Sequence, residues 1–260
     1  MTRIDELFAR TRSEGRAALV GYLPVGFPDV ATSIDAMVAM VDAGVDLVEV
    51  GVPYTDPGMD GPVIQVAVDA ALRAGSRVRH VFEAVEAVTQ QAPAVIMGYW
   101  NPIEKMTPAV FAERLKAAGG SGAITPDLIP EEAGPWLDAA KEHDLDPVFL
   151  VAPSSTDERL EVVGRTNRGF VYVASTMGVT GARDTVSSRA EELVTRMRRH
   201  TELPLGVGLG VSNGAQAAEV ATYADAVIVG SAFVRALQDD GLDGVRRLAD
   251  DLAQGVRRKA

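Results

Sequence analysis

Two acidic side chains stand close together where a predicted strand ends. Glu49 interrupts the run 46–51, which is apolar almost throughout, and Asp60 lies in the following loop, just before Gly61-Pro62. A carboxyl group near the carboxyl end of a parallel strand, with a second one in the next loop, suits general acid–base catalysis. An alternative remains open, in which Glu49 pairs with an Arg or Lys and Asp60 only caps the following helix.

The elements that would position these acids alternate regularly along the chain. Strand patterns occur at residues 17–23, 46–51, 94–99, 122–125, 147–151, 169–174, 204–209 and 225–229, and a helical pattern follows each one. An amphipathic pattern over 3–13 predicts an earlier helix, acting as a lid or as a plug at the barrel bottom. Eight βα units predict an α/β fold, a (β/α)₈ TIM barrel with an additional N-terminal helix, as a single domain over 1–260. An open doubly wound sheet is the alternative.

Composition and charge disfavour several kinds of function. Among 260 residues, 36 are acidic and 25 are Lys or Arg, and the formal charge of −11 opposes binding to nucleic acid or an anionic membrane. Cysteine is absent, and His80, His143 and His200 are isolated in polar contexts, so we expect surface histidines and no metal site. No apolar run could span a bilayer and the first residues lack a secretory signal's apolar core, so we expect a cytoplasmic protein.

Glycine segments follow the last two predicted strands, where barrels often bind phosphate. Gly210 follows the seventh strand, and Gly230-Ser231 follows the eighth, where a helix should begin. Glycine lets the backbone approach an anion closely, and a helix N-terminus offers free N–H groups. Since no Lys or Arg lies in these segments, backbone amides and the Ser231 hydroxyl would hold the phosphate, with Thr180-Gly181 closing a third side. The alternative is that these glycines only form turns.

Taken together, these motifs resemble the alpha subunit of tryptophan synthase. The longest match is Val48-Glu49-Val50-Gly51-Val52-Pro53-Tyr54-Thr55-Asp56-Pro57, closed by Asp60-Gly61-Pro62 and Ile64-Gln65. Further matches are Pro126-Asp127-Leu128 with Glu131-Glu132, then Gly178-Val179-Thr180-Gly181-Ala182, and finally Gly230-Ser231. They span most of the chain in the order that the family has.

The resemblance implies a retro-aldol cleavage of indole-3-glycerol phosphate to indole and glyceraldehyde 3-phosphate, without a cofactor in this chain. Glu49 would move protons at the substrate hydroxyl and at C3 of the indole ring, and Asp60 would accept from the indole N–H. Tyr172 would orient the substrate or Asp60, although a tyrosine there could also simply fill the barrel. The other implied site residues are Tyr22, Ile64, Ile124 and Leu209 around the ring, Thr180 in a closing loop, and Gly181, Gly210, Gly230 and Ser231 around the phosphate.

The resemblance also implies a partner. Family members form an αββα complex in which indole passes through a tunnel to a beta subunit that carries pyridoxal phosphate. Residues 53–57 and the region around Asn101 would contact that subunit. Departures from the family pattern remove no catalytic group: Tyr22 stands for phenylalanine, Thr55 for serine, Gly58-Met59 for a Leu-Ala pair and Thr176-Met177 for an Arg-Ser-like pair.

Two other functions remain open from the sequence. A different phosphate-binding barrel, such as a sugar-phosphate or indole-pathway isomerase, would share the glycine segments but would not need both acids. A non-enzymatic chain would chiefly activate a partner. The presence of both Glu49 and Asp60 argues against a complete loss of activity.

Overall fold

Parallel strands and surrounding helices form a nearly closed barrel. The structure, a computed structural model, describes residues 2–174, 183–208 and 210–257, with side chains for all of these except 183–187. The strands are β1 (Ala18–Pro24), β2 (Leu47–Gly51), β3 (Ala94–Met97), β4 (Gly122–Ile124), β5 (Asp146–Val148), β6 (Leu150–Val151), β7 (Val171–Ala174), β8 (Leu205–Gly208) and β9 (Ala226–Val229). The helices are α1 (Arg3–Ser13), α2 (Val30–Asp42), α3 (Pro62–Arg73), α4 (Val78–Thr89), α5 (Trp100–Met106), α6 (Pro108–Ala117), α7 (Gly134–Glu142), α8 (Asp157–Thr166), α9 (Arg183–Met197), α10 (Gly214–Val220) and α11 (Ser231–Arg257).

The strand order accounts for the closure of the barrel. Neighbouring strands pair in parallel in the order β5-β4-β3-β2-β1-β9-β8-β7-β6. The two ends of this order, β5 and β6, are separated only by Phe149, so the chain itself joins them. Together they occupy one of the eight positions of a (β/α)₈ barrel, and the predicted TIM-barrel fold with an N-terminal helix is confirmed.

The division of the predicted strand 147–151 has a local cause. The Phe149 N–H donates to the side-chain oxygen of Asn167 at 3.1 Å, rather than to a neighbouring strand. The Asn167 amide nitrogen donates to the carbonyl groups of Phe149 at 3.2 Å and Phe170 at 3.0 Å. The buried Asn167 side chain thus replaces one backbone hydrogen bond between strands, and the strand is interrupted at Phe149.

Alternation along β2 decides which way Glu49 points. Leu47 belongs to the apolar cluster inside the barrel, whereas Val48 and Val50 belong to the layer between the sheet and the helices. Successive side chains of a strand point to opposite faces. Glu49 therefore faces the barrel interior, two residues above Leu47 and toward the carboxyl end.

Helix α1 closes the end of the barrel where the strands begin. Its buried residues Ile4, Leu7 and Phe8 belong to the same apolar cluster as the strand residues of the barrel interior. The Thr2 hydroxyl caps the helix and also donates to Asp146, at the start of β5, at 2.7 Å. The helix is thus a plug at the barrel bottom rather than a lid, which decides between the two predicted roles.

Two helical predictions need correction. Helix α5 was not predicted, because Trp100-Asn101-Pro102 resembles a loop; the backbone N–H of Trp100 is instead satisfied by the Asp127 side chain at 2.9 Å, from a distant loop. The helical pattern predicted after the strand at 122–125 corresponds to two elements, a 3₁₀ turn (Pro130–Glu132) and α7. Pro135, which has no N–H group, lies in the first turn of α7, where that group is not needed.

A side chain caps the N-terminus of α2. Asp29 is the N-cap of α2, and its side chain accepts from the backbone N–H of Thr32 at 2.8 Å. Within the described residues, no helix combines the length and the apolar composition needed to cross a membrane.

Candidate active site

A cavity of about 210 Å³ opens at the carboxyl ends of the strands. The acids Glu49 and Asp60 line it together with the phenols Tyr22 and Tyr172. Other predicted site residues around it are Ile64, Gly210, Gly230 and Ser231. Residues that are far apart in the sequence therefore line one cavity, whose volume accommodates part of a small organic molecule.

Glu49 is almost completely buried, with a relative exposure of 1%. Its Oε1 atom has no hydrogen-bond partner, and no ion pair to an Arg or Lys is formed in the described part of the chain. Burial raises the pKa of the Glu49 carboxyl to about 8, since the charged form loses its hydration. The alternative role of Glu49 as a partner in a buried ion pair finds no support, and the carboxyl group is protonated at neutral pH.

Glu49 should make the fold less stable as the pH rises. A folded-state pKa of about 8, raised from 4.5, means that the folded protein holds a proton that the unfolded chain releases between these values. Because Gln cannot ionise, we expect Glu49→Gln to raise the free energy of unfolding by on the order of 4 kcal/mol near pH 8 and by about 1 kcal/mol near pH 5. Urea unfolding at both pH values measures this, and an equal difference at both would contradict it.

Asp60 lies in the loop between β2 and α3 and is only partly buried. Burial raises the pKa of its carboxyl to about 6, and a hydrogen bond donated by the Tyr99 hydroxyl, 3.2 Å from Oδ2, acts in the opposite direction. The N-cap of α3 is Gly61, which has no side-chain cap. The alternative that Asp60 merely caps this helix is therefore wrong, and its carboxylate is directed to the cavity.

Two tyrosines place hydroxyl groups in the cavity, and the ring of each packs against a glycine of the neighbouring strand. A Cβ atom on Gly51 would lie 2.6 Å from the Tyr22 hydroxyl, and one on Gly208 would lie 2.7 Å from the Tyr172 hydroxyl. Burial raises the pKa of both phenols well above its ordinary value, and the nearby acids Glu49 and Asp60 raise it further. Both tyrosines are therefore neutral hydrogen-bond donors at neutral pH.

The apolar side chains predicted around a ring are only partly brought together. Ile64 lines the cavity, but Ile124 is fully buried in the cluster inside the barrel and does not line it. Apolar lining that was not predicted comes from the inward-facing strand residues Met97, Leu150 and Ile228. Strand alternation was the signal that could have found them. Leu209, Thr180 and Gly181, which were also predicted, lie outside the described residues.

The predicted phosphate segments line the cavity from the carboxyl ends of β8 and β9. Gly210 has φ +68°, in the left-handed region where glycine is favoured. Helix α11 begins at Ser231, and its first backbone bonds run from the N–H groups of Phe233 and Val234 to the carbonyl of Gly230. The N–H groups before these bonds are those that a helix leaves free for an anion. None of the described lining residues is Lys or Arg, in agreement with binding through amides.

Tyr99 is a functional candidate that the sequence did not reveal. It follows β3 by two residues, and its hydroxyl accepts from the Met59 N–H at 2.9 Å while donating to Asp60. Its position at the carboxyl end of the strand next to β2 was the available signal. Among the described residues no group of three His, Asp or Glu side chains could hold a metal ion, and His80, His143 and His200 are each partly exposed.

The chain is similar to known proteins over nearly its whole length. The family model for the tryptophan synthase alpha chain matches residues 8–259. The tryptophan synthase alpha chain of Mycobacterium intracellulare is 58% identical over 248 residues, covering 95% of this chain and 92% of that protein. The corresponding chain of Nocardia farcinica is 59% identical over 248 residues, covering 95% and 93%.

Solved structures agree with this similarity. A structure of tryptophan synthase from M. tuberculosis, in an open form with BRD0059 bound, has a TM-score of 0.94 at 52% identity, and each chain is covered to 100%. Tryptophan synthase subunit alpha from Legionella pneumophila has a TM-score of 0.89 at 29% identity, with 98% of each chain covered.

Proposed function

The chain belongs to the tryptophan synthase alpha chain family, and on this premise we propose how its cavity carries out the family's reaction. The protein is a carbon–carbon lyase of tryptophan biosynthesis, which cleaves indole-3-glycerol phosphate to indole and glyceraldehyde 3-phosphate. One observation carries the assignment of residues: two acids with raised pKa values, Glu49 and Asp60, face one cavity.

Glu49 serves as both acid and base. With a pKa of about 8 it keeps its proton at neutral pH and donates it to C3 of the indole ring. The resulting carboxylate accepts the proton of the hydroxyl on the carbon attached to C3. The bond between these carbons then breaks, its electron pair returns to the ring, and the hydroxyl-bearing carbon becomes the aldehyde. Glu49 ends the cycle protonated, as it began.

Asp60 supports this step from the ring nitrogen. Its pKa of about 6 leaves the carboxylate ionised at neutral pH, so it accepts the indole N–H. Protonation at C3 places a positive charge on the ring nitrogen, and a negative charge held beside it in a largely dry site stabilises that intermediate. The environments of Glu49 and Asp60 thus separate their pKa values, so that at neutral pH Glu49 is protonated and Asp60 is ionised.

The remaining predicted residues bind the substrate. Tyr172, as a neutral donor in the same cavity as both acids, orients the substrate or Asp60. Tyr22, Ile64 and Leu209 pack around the indole ring and Thr180 closes over the substrate, whereas Ile124 belongs to the apolar cluster inside the barrel and does not reach the ring. The phosphate rests on the amides of Gly181, Gly210 and Gly230 and on the Ser231 hydroxyl.

A negative charge in the phosphate site should weaken binding. We expect Ser231→Asp to raise the dissociation constants of glyceraldehyde 3-phosphate and of inorganic phosphate by at least about tenfold, through repulsion between like charges. Isothermal titration calorimetry measures both constants.

The isosteric variant Ser231→Asn is the matched control, because it changes the shape equally without adding charge. An aspartate at a helix N-terminus stabilises the helix. The Ser231→Asp protein should therefore have the same melting temperature as the wild-type protein. Equal binding by the Asp and Asn variants would move the phosphate site elsewhere.

Family membership implies a beta-subunit partner. We infer that the two chains assemble as an αββα tetramer and that indole passes to the partner, which carries the pyridoxal phosphate. The predicted contact regions, 53–57 and the surroundings of Asn101, adjoin each other: the Asn101 amide donates to the Tyr54 hydroxyl at 3.0 Å. Exposed apolar side chains nearby, Met59 and Ile129, would be covered by such a partner.

Further features of the proposal concern the chain as a whole. We infer that residues 1–260 act as a single domain and that this chain needs no cofactor of its own, since two acids suffice for the proton transfers. We also infer a cytoplasmic location, where the other enzymes of amino-acid biosynthesis would supply the substrate.

The function is tested by following indole release from indole-3-glycerol phosphate, with and without a tryptophan synthase beta subunit. We expect indole to appear, to appear faster with the beta subunit, and to be lost in Glu49→Gln. A folded protein that releases no indole under either condition would overturn the proposal and leave a phosphate-binding barrel with another substrate.

A further inference from the structure

Tyr99 lies between the barrel and the loop that carries Asp60, residues 52–61. It is 8% exposed and follows β3, the strand that pairs with β2. Its hydroxyl accepts the Met59 N–H at 2.9 Å and lies 3.2 Å from Asp60 Oδ2. A single phenol group thus contacts both the backbone of the loop and its acid.

The two contacts together fix the direction of the hydroxyl proton. The Met59 N–H can only donate, so the Tyr99 oxygen must accept there. The only proton of the phenol is then available for Asp60, whose carboxylate can only accept when ionised. The bond between Tyr99 and Asp60 is therefore charge-assisted, and it favours the ionised carboxylate.

The ring that carries this hydroxyl is itself held in place. Its centroid lies 5.4 Å from that of Tyr54 in a tilted contact, and the Tyr54 hydroxyl accepts from Asn101 in α5. Asp127 satisfies the first N–H of α5, at Trp100. Because the start of α5 is anchored at both residues that follow Tyr99, the phenol has little freedom to move away from Asp60.

We propose that Tyr99 is a positioning residue of the lyase reaction, whose hydroxyl holds the loop at Met59 and keeps the Asp60 carboxylate ionised and directed at the indole nitrogen. This role rests on the function proposed above for Asp60. Tyr99 does not itself need to touch the substrate, because it acts through the carboxylate.

The electrostatic surroundings agree with this role. Burial raises the pKa of Asp60, and the Tyr99 hydrogen bond is what opposes the increase. The other titratable groups facing this region are Glu49, which is buried and neutral at neutral pH, and the neutral phenols Tyr22 and Tyr172. Asp127, near Tyr99, is a like charge and cannot lower the Asp60 pKa. Tyr99 is thus the group that offsets burial.

The test is the variant Tyr99→Phe, which keeps the ring and removes the hydroxyl. We expect kcat to fall about tenfold at neutral pH and the acid limb of the pH profile of kcat/KM to move upward by about one pH unit, because the pKa of Asp60 rises when its donor is lost. In the Asp60→Asn background the same change should have little further effect, since the two groups act as one unit. Tyr223→Phe is the matched control, because it removes a phenol hydroxyl before β9, at the opposite end of the barrel, and should leave the profile unchanged.

A second measurement needs no substrate. In protein labelled with ¹³C at the aspartate carboxyl groups, the Asp60 signal is identified by its loss in Asp60→Asn, and its titration should move upward in Tyr99→Phe. An unchanged titration and an unchanged acid limb would overturn the role of Tyr99. If the wild-type protein cleaved no indole-3-glycerol phosphate, the proposed function would fail, while the titration would still decide whether Tyr99 controls Asp60.

Discussion

Replacing Glu49 by glutamine is expected to lower kcat for indole release by about 10³-fold, while substrate binding and the fold are retained. Gln has nearly the same shape as the protonated acid, which is the form that burial favours at neutral pH. It can neither donate a proton to C3 nor accept one from the hydroxyl. Steady-state kinetics with indole-3-glycerol phosphate, together with calorimetric titration of glyceraldehyde 3-phosphate, measure the two effects separately.

The pH dependence of the wild-type enzyme provides an independent check. If protonated Glu49 is the acid, kcat/KM should fall as the pH rises through the value of about 8 at which this group ionises in the free enzyme. The isosteric Gln variant should lack this limb in whatever activity remains. Glu49→Asp is the matched control, because it keeps a carboxyl group but withdraws it by one methylene. Wild-type rates in the Gln variant would refute the assignment.

Replacing Asp60 by asparagine is expected to lower kcat by about 10²-fold with little change in KM. The amide oxygen can still accept the indole N–H and the Tyr99 proton, so the ground-state contacts persist. What is lost is the negative charge beside the ring nitrogen, which matters only once C3 has been protonated. An interaction made chiefly in the transition state affects kcat rather than substrate binding.

The Asp60 prediction is checked by single-turnover kinetics, which separate the chemical step from product release. Asp56→Asn serves as a control for charge in the same loop, because Asp56 is exposed and does not line the cavity. A variant at Asp60 with unchanged single-turnover rates would remove this residue from the mechanism. A large rise in KM alone would instead assign it to binding.

The sequence predicted those parts of the structure that depend on local patterns. Period-two and period-3.6 alternation located the strands and most helices, and the position of Glu49 in an apolar run predicted an acid near the mouth of the barrel. The glycine segments were likewise predicted, because positions such as Gly210, with positive φ, leave a local signal.

What the sequence could not predict depends on contacts between distant segments. Tyr99 acquires its role only because the end of β3 lies beside the loop that carries Asp60, a contact between residues 39 apart in sequence. The start of α5 depends on Asp127, and the break at Phe149 depends on Asn167. Each of these is a side chain that satisfies a backbone or acid group from another segment, and no periodicity in the sequence reports such a contact.

The plug formed by α1 stabilises the end of the barrel that is farthest from the catalytic residues. Helix α1 fills the end where the strands begin, and Asp46 there accepts from the two terminal guanidinium nitrogens of Arg16, at 2.6 and 2.8 Å. The cavity lies at the other end, among the carboxyl ends of the strands and the loops that follow them. Variation in the lower half can therefore adjust heat tolerance without altering turnover, and attempts to adapt this enzyme to a new temperature should begin there.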